Sequence, residues 1–378
     1  MMPTQVAQFE LQAAPSTIPV RNDVHGLLLL VTSGGRPVDL LRIARPASGA
    51  VSSDQIMRLG KGGWPLVPEE RVRPLLKQPI SIVVCTRERP DDLRRCLESL
   101  VGIERDGHEV LVVDNAPVTD RTASIAARFG VRSVVEPTPG LNRARNAGVA
   151  ASTRDVVAFV DDDVVVSQPW PAAMTSCLDD PQVGCATGLV LPLELETDAQ
   201  EDFEAYCQHR RDLQRRVYAP GDVPSSSAGV VGMGANMAFR RNLLSTLGGF
   251  DPRLDAGTRT RSGGDTDMFA RVLDAGRSIV YTPDAYVWHR HRRSAREVRS
   301  CVFGYGIGLY GMLTKRVVEQ RDLAALVTAG RWLVGPLVKA ASAKLGGRPS
   351  PRWDTVLAET AGAPLGPIYF AYETWRNR

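Results

Sequence analysis

ISIVVCTRERPDDLRRCLESL, residues 80–100, joins two different periodicities. Its first six residues are a short, largely β-branched apolar run, suited to a strand buried on both faces. Pro90 and Asp91 then open a segment in which Leu93, Cys96, Leu97 and Leu100 recur on one face at helical spacing. The pattern continues with strand EVLVVD (109–114), helix TDRTASIAARFG (119–130), strand VRSVVE (131–136), helix NRARNAGVAAS (142–152) and strand VVAFVDDD (156–163). Strict alternation of strand and helix predicts parallel βαβ units, hence an α/β fold with a Rossmann-like, mostly parallel sheet flanked by helices.

Three zones follow. In residues 1–76, GLLLLVTSGGRPVDLLRI (26–43) sets two apolar runs around Gly34-Gly35, which predicts a β-hairpin in a small N-terminal extension. Pro65, Pro68, Pro74 and Pro79 argue against helix or central strand and place a linker and boundary near residue 77. The alternating unit spans 77–300, and 301–378 reads as a helical C-terminal region.

At 378 residues, 43% hydrophobic and 23% charged, the chain can bury a substantial core, and wholesale disorder is excluded. Net charge is only +4, so the distribution matters more: HRHRRSAREVR (289–299) is the densest basic cluster, fit for a pyrophosphate, an anionic membrane or nucleic acid. Aromatic residues are sparse there and no nucleic-acid motif accompanies it, so no nucleic-acid partner is expected. Six cysteines without a CxxC pair read as reduced thiols in a cytoplasmic protein. MMPTQVAQFELQ lacks the basic start and apolar stretch of a signal peptide, and no apolar run reaches the ~18–20 residues of a membrane span. CVFGYGIGLYGMLT (301–314) is uncharged but too short and glycine-rich to span. The tail, with Lys315, Arg316, Arg331 and Lys339, fits either peripheral contact with the inner face of a membrane or helices packed back on the α/β unit.

Ligands of parallel sheets bind at the carboxyl ends of the strands, and polar residues gather there: Cys85-Thr86-Arg87, Asp114-Asn115 and Asp161 to Asp163. On a regular strand Asp161 and Asp163 point together and Asp162 away. Two carboxylates on one side repel unless a lysine, an arginine or a metal ion lies between them. Mg²⁺ or Mn²⁺ suits the position, being oxygen-seeking and commonly carried with substrate phosphates. Alone, the three aspartates also fit a solvated turn; the coincidence across strand ends favours a site.

CTRERPDDLRRCLESL, VVDNAP, PGLNRARNAGVAAS, FVDDDVVV, GANMAFRRNLLSTLGGFD, GGDTDMFARVLDAG and VWHRHR, in this order, resemble the family 2 glycosyltransferases of GT-A fold, over residues 80 to about 293. The resemblance implies inverting transfer from a nucleotide-diphosphate sugar to an acceptor hydroxyl on a polysaccharide, lipid-linked or small-molecule glycan, with a divalent cation. It implies nucleotide-sugar binding by Thr86, Arg87, Asp114, Asn142 (which would cap its helix), Arg145, Asp161, Asp162 and Asn236. Metal binding falls to Asp163 and His289, with His291 as alternate, and Arg290, Arg292 and Arg293 would cover the diphosphate. Trp170 and Trp288 either stack on sugar faces or fill the core.

Inverting transfer needs a base to take the acceptor proton as the hydroxyl attacks, and charge stabilisation for the leaving diphosphate. The family's later acidic motif usually reads Glu-Asp, whereas this chain has Gly264-Asp265. Asp265 aligns with the base and Asp267 is a rival; either could instead cap the following helix. The missing acid leaves open a non-catalytic sugar-nucleotide or glycan binder on the same fold. A nucleotidyltransferase fits less well, because no glycine-rich phosphate loop with a following lysine lies near the first strand.

Overall fold

The computed structural model describes residues 3–13, 15–60, 63–64, 78–103, 107–207, 212–345 and 351–378. Pro65, Pro68 and Pro74 of the expected linker, and the boundary near 77, lie outside the described residues.

The N-terminal extension contains β1 (Thr4–Glu10), β2 (Thr17–Pro19), β3 (Gly26–Ser33), β4 (Arg36–Ala44), β5 (Ala50–Ser52) and α1 (Ser53–Leu59). The expected hairpin is β3–β4, with Ser33 paired to Arg36 across a two-residue turn. Gly34 and Gly35 have φ of 58° and 75°, the left-handed values that such a turn demands. β1 adds in parallel to β3, and Phe9, Leu27, Leu29, Val31, Val51 and Ile56 close a core of their own. On its other face Leu30 packs with Leu189, Leu191, Tyr281 and Tyr286 of the large sheet.

That sheet is built from β6 (Ser81–Thr86), β7 (Glu109–Asn115), β8 (Arg132–Glu136), β9 (Val156–Asp161), β10 (Val164–Val166), β11 (Val183–Pro192), β12 (Arg216–Tyr218), β13 (Asn236–Arg240) and β14 (Ser278–His289). The order is β10-β14-β11-β13-β9-β6-β7-β8, with β12 also on β14. β9, β6, β7 and β8 pair in parallel, as do β11 and β14, while β13, β10 and β12 run antiparallel to their neighbours. The helices between them are α2 (Pro90–Leu100), α3 (Arg121–Arg128), α4 (Leu141–Ala151), α5 (Trp170–Cys177), α6 (Asp198–Cys207), α7 (Arg241–Thr246) and α8 (Gly264–Asp274). Alternation along β6 feeds two cores: Ile82 and Val84 join Leu93, Leu97 and Trp170, whereas Val83 joins Ala144, Phe159 and Phe269.

Four helices complete the chain: α9 (Ala295–Gln320), α10 (Ala324–Leu345), α11 (Trp353–Gly362) and α12 (Leu365–Arg376). Residue 300, the expected boundary, falls inside α9, which opens on a capping box formed by Ser294 and Glu297. The glycine-rich 301–314 stretch is the middle of this helix, and its small residues admit other backbones. A Cβ on Gly306 would stand 2.0 Å from the Glu359 carbonyl oxygen of α11. α9 is also fastened by charge: the Lys315 ammonium, 7% exposed, lies 2.8 Å from Asp251 and 2.7 Å from Asp267. Among the described residues no helix is long and apolar enough to cross a membrane.

Replacing Lys315 by Met should therefore cost about 3 kcal/mol in denaturant unfolding, because two buried carboxylates lose a shared cation. A loss under ~1 kcal/mol would show that Arg253 and Arg271, their other partners, suffice. Burial tends to raise the Asp251 carboxyl, but hydrogen bonds and charge from Arg253 and Lys315 hold it below the usual range. Its stabilising contribution is complete above about pH 4–5 and is lost as pH falls further.

Candidate functional site

The sheet's strand ends build the site from its backbone. β9 stops at Asp161, Asp162 and Asp163 form a turn, and β10 leaves antiparallel to β14 with Val164 opposite His289. That register places His289 Nε2 3.1 Å from Asp163 Oδ1 and 3.9 Å from Asp161 Oδ2. One ligand atom from each of the three residues lies within 4.8 Å of the others. Asp163 is almost fully buried, and its Oδ1 faces the His289 imidazole. Two carboxylates and an imidazole converging in this way fit an oxygen-preferring divalent cation.

Asp162 lies in the turn and not on a regular strand, so its direction is set by the turn. It accepts from the Thr86 hydroxyl at 2.7 Å and from Arg89 at 2.5 Å. The same guanidinium reaches Asp163 Oδ2 at 2.8 Å and Asp92 at 3.0 Å. Burial pushes the Asp162 carboxyl up against the pull of Arg89. Burial acts on Asp163 too, yet His289, Arg89 and Arg292 hold it far below the usual carboxylate range. For His289, burial disfavours the cation, but Asp163 and Asp161 outweigh it and raise the imidazole.

Two cavities meet at Asp161 and Leu141, which line both. The first, about 220 Å³, is bounded by Thr86, Arg87, Arg89, Asn115, the three aspartates and Arg292. Of the remaining basic cluster, Arg290 is paired with Asp92 and Glu194 and Arg293 with Glu194, so the two turn to protein carboxylates. The second cavity, about 230 Å³, is bounded by Arg145, Asp255, Asp265 and His289, with Phe203, Tyr206, Tyr305 and Trp332 as its aromatic wall. Burial disfavours the Arg145 charge, but Asp255, Asp161 and Asp265 sustain it. Asp265 accepts from the Gly234 and Thr266 amides, at 2.8 and 2.7 Å, on the rim of this cavity.

Several expectations are corrected here. Asn236 does not face a ligand: its amide donates to the Leu189 and Ala285 carbonyls and accepts from Trp170 Nε1 at 2.7 Å, which saturates it in the core. Trp170 is accordingly a buried residue, and Trp288 packs edge-on against Tyr286. Asn142 does not cap α4; Gly140 does, and Asn142 sits inside the helix, donating to the Asp251 carbonyl and accepting from Arg145. Asp114 lines neither cavity, its buried carboxyl lying near Thr122, while its neighbour Asn115 does. Asp267 is sequestered by Lys315 and Arg271. His291 pairs with buried Glu204 and is not in the three-residue cluster. Arg89 and Asp255 were not anticipated: Arg89 lies within the CTRERPDDLRRCLESL motif but was given no role there, and Asp255 lies in none of the quoted motifs.

Residues 81–248 match the profile of glycosyl transferase family 2. The pre-mycofactocin glycosyltransferase of Mycobacterium tuberculosis is 28% identical over 327 residues, covering 83% of this chain and 65% of that protein. The succinoglycan biosynthesis protein ExoM of Rhizobium meliloti is 29% identical over 223 residues, 55% of this chain and 65% of that one. The chain thus spans 65% of the length of these curated relatives. A mannosyltransferase from Pyrobaculum calidifontis, solved in complex with GDP-Man and Mn²⁺, superposes with a TM-score of 0.52 at 19% identity, covering 85% of this chain and 88% of that one. Residues 81–248 thus carry the likeness to glycosyl transferase family 2, and the fold is of GT-A type.

Arg89→Met removes the cation shared by Asp162 and Asp163. Because the arginine is one-third exposed, the expected loss is about 2 kcal/mol in chemical denaturation. A change within 0.5 kcal/mol, on the order seen for surface substitutions, would mean that His289 and Arg292 compensate alone.

Proposed function

We propose that this protein catalyses inverting, metal-dependent transfer of a sugar from a nucleoside-diphosphate donor to an acceptor hydroxyl. The observation that carries the reading is the convergence of Asp161, Asp163 and His289 where two cavities join. The donor nucleotide occupies the cavity of Thr86, Arg87 and Asn115, and the acceptor enters the aromatic one. A divalent cation bound by Asp161, Asp163 and His289 would neutralise diphosphate charge. The Pyrobaculum calidifontis mannosyltransferase, solved with GDP-Man and Mn²⁺, is in keeping with this.

Asp265 is the base: it takes the acceptor proton as the hydroxyl oxygen bonds to the anomeric carbon and the bond to the diphosphate oxygen breaks. Its two backbone amide donors fix the carboxylate's orientation. Asp267 has no comparable freedom, being held by two cations. Arg292 and Arg145 supply positive charge on either side of Asp161, where charge develops on the leaving group.

The acceptor is lipid-linked and met at an anionic membrane surface. α10 turns Trp332 into the aromatic cavity and fixes its inner side through Thr328 and Ser226, 2.7 Å apart. Its outer side carries Leu326, Val327, Leu333, Val334 and Val338, each at least 43% exposed, at helical spacing. From Leu323 to Trp353 the chain has five basic residues and no acidic one, which complements anionic headgroups.

Thermal unfolding with UDP, GDP or dTDP, with and without Mn²⁺, tests the site. One nucleotide at ~100 times its dissociation constant should add about 2.7 kcal/mol, only with metal, and Asp163→Ala should abolish this. No shift with any pair removes the donor reading. Asp265→Asn should keep the nucleotide shift and lower transfer by ~10²-fold or more; unimpaired transfer would dismiss Asp265 as base. Cosedimentation with phosphatidylglycerol vesicles should fall at least five-fold in Leu326→Glu/Val334→Glu, whereas equal binding by both proteins sinks the membrane assignment.

A further inference from the structure

We infer that Asp255 supplies the carboxylate that position 264 lacks, positioning Arg145 beside Asp161 and Asp265. This deepens the transferase reading and rests on it. Three independent features of the chain agree.

The first is space. A Cβ built on Gly264 would lie 2.5 Å from Asp255 Oδ2 and 2.3 Å from the Asn142 amide nitrogen, so the volume a side chain from 264 would enter is already filled. Glycine at the start of α8 is required by this occupancy. The second is backbone. Asp255 has φ of 81°, in the left-handed region that glycine prefers and a side-chain-bearing residue occupies at a cost. The two positions thus carry each other's expected residue types: an acid where glycine would be easiest, and glycine where the motif normally carries an acid. The third is the partner. Asp255 Oδ2 receives Arg145 Nη1 at 2.7 Å, and Asn142 Oδ1 receives the same nitrogen at 3.0 Å. Arg145 is buried, and its second terminal nitrogen approaches Gly234 so closely that a Cβ there would stand 2.8 Å from it and 3.0 Å from Asp265 Oδ2.

Asp255 is held in turn. Its Oδ1 accepts from the Ala256 amide at 2.8 Å, and its own amide donates to the Ser262 carbonyl across the loop that leads into α8. The loop therefore delivers a carboxylate to the foot of the helix from outside it. Asp255 acts through Arg145 and takes no proton from substrate, so it is a positioning residue.

The test uses the full chain, Mn²⁺, and UDP-glucose and GDP-mannose as donor probes, following release of the nucleoside diphosphate. Asp255→Asn keeps the volume, and asparagine tolerates the left-handed backbone. It should lower kcat at least ten-fold, leave KM within three-fold and keep Tm within 3 °C. Asp255→Gly relieves the backbone and opens room beside Arg145; 100 mM formate should restore its turnover at least five-fold while leaving wild type unchanged. Wild-type kcat in Asp255→Asn, or no formate response in a folded Asp255→Gly, overturns the assignment. If wild type releases nucleotide from neither donor and UDP and GDP do not stabilise it, the transferase reading itself has failed. Thermal unfolding of Asp255→Gly alone then decides this one: a rise in Tm with formate supports a carboxylate seat beside Arg145, and no rise overturns it.

Discussion

Three consecutive carboxylates cannot share one low-dielectric pocket without compensation, and the site is arranged around that constraint. The turn between β9 and β10 sends Asp162 towards Thr86 and Arg89, and Asp163 towards His289, Arg89 and Arg292. Asp161 is left on the rim between two cavities. Charge is thus divided by direction before any ligand arrives. The same logic recurs below, where Lys315 sits between Asp251 and Asp267 and couples α9 to α8 and to the loop that follows α7.

The strand and helix pattern made the α/β unit legible, because buried parallel strands and one-sided helices leave different periods in the chain. What alternation could not reveal was β13, which runs antiparallel between β9 and β11, since strand direction is set by long-range pairing. In the site, Asp161 and Asp163 stood out because they fall where a strand ends, whereas His289 came only from the family resemblance. Asn236 misled: a polar residue flanked by small ones looks the same whether it meets a ligand or, as here, satisfies two backbone carbonyls and an indole. Asp255 and Arg89 gave no signal, as each acts by reaching across the fold to a partner at least 70 positions away.

The glycines of α9 illustrate a related ambiguity. An uncharged, glycine-rich stretch suggests a surface that meets lipid, yet here it is the interior of a helical layer in which backbone meets backbone. The apolar surface that does face outward belongs to α10, whose inner side is already committed. Burial separates the two segments where composition does not.

The hairpin β3–β4 has a consequence for how small this protein can be made. Leu30 covers Leu189, Leu191, Tyr281 and Tyr286, which belong to the two strands that run up to the site, β11 and β14. A chain trimmed to start at β6 would bare that apolar patch on the strand that delivers His289. The extension is therefore a permanent cover for this part of the sheet. Trimming it would leave an exposed apolar patch that favours self-association.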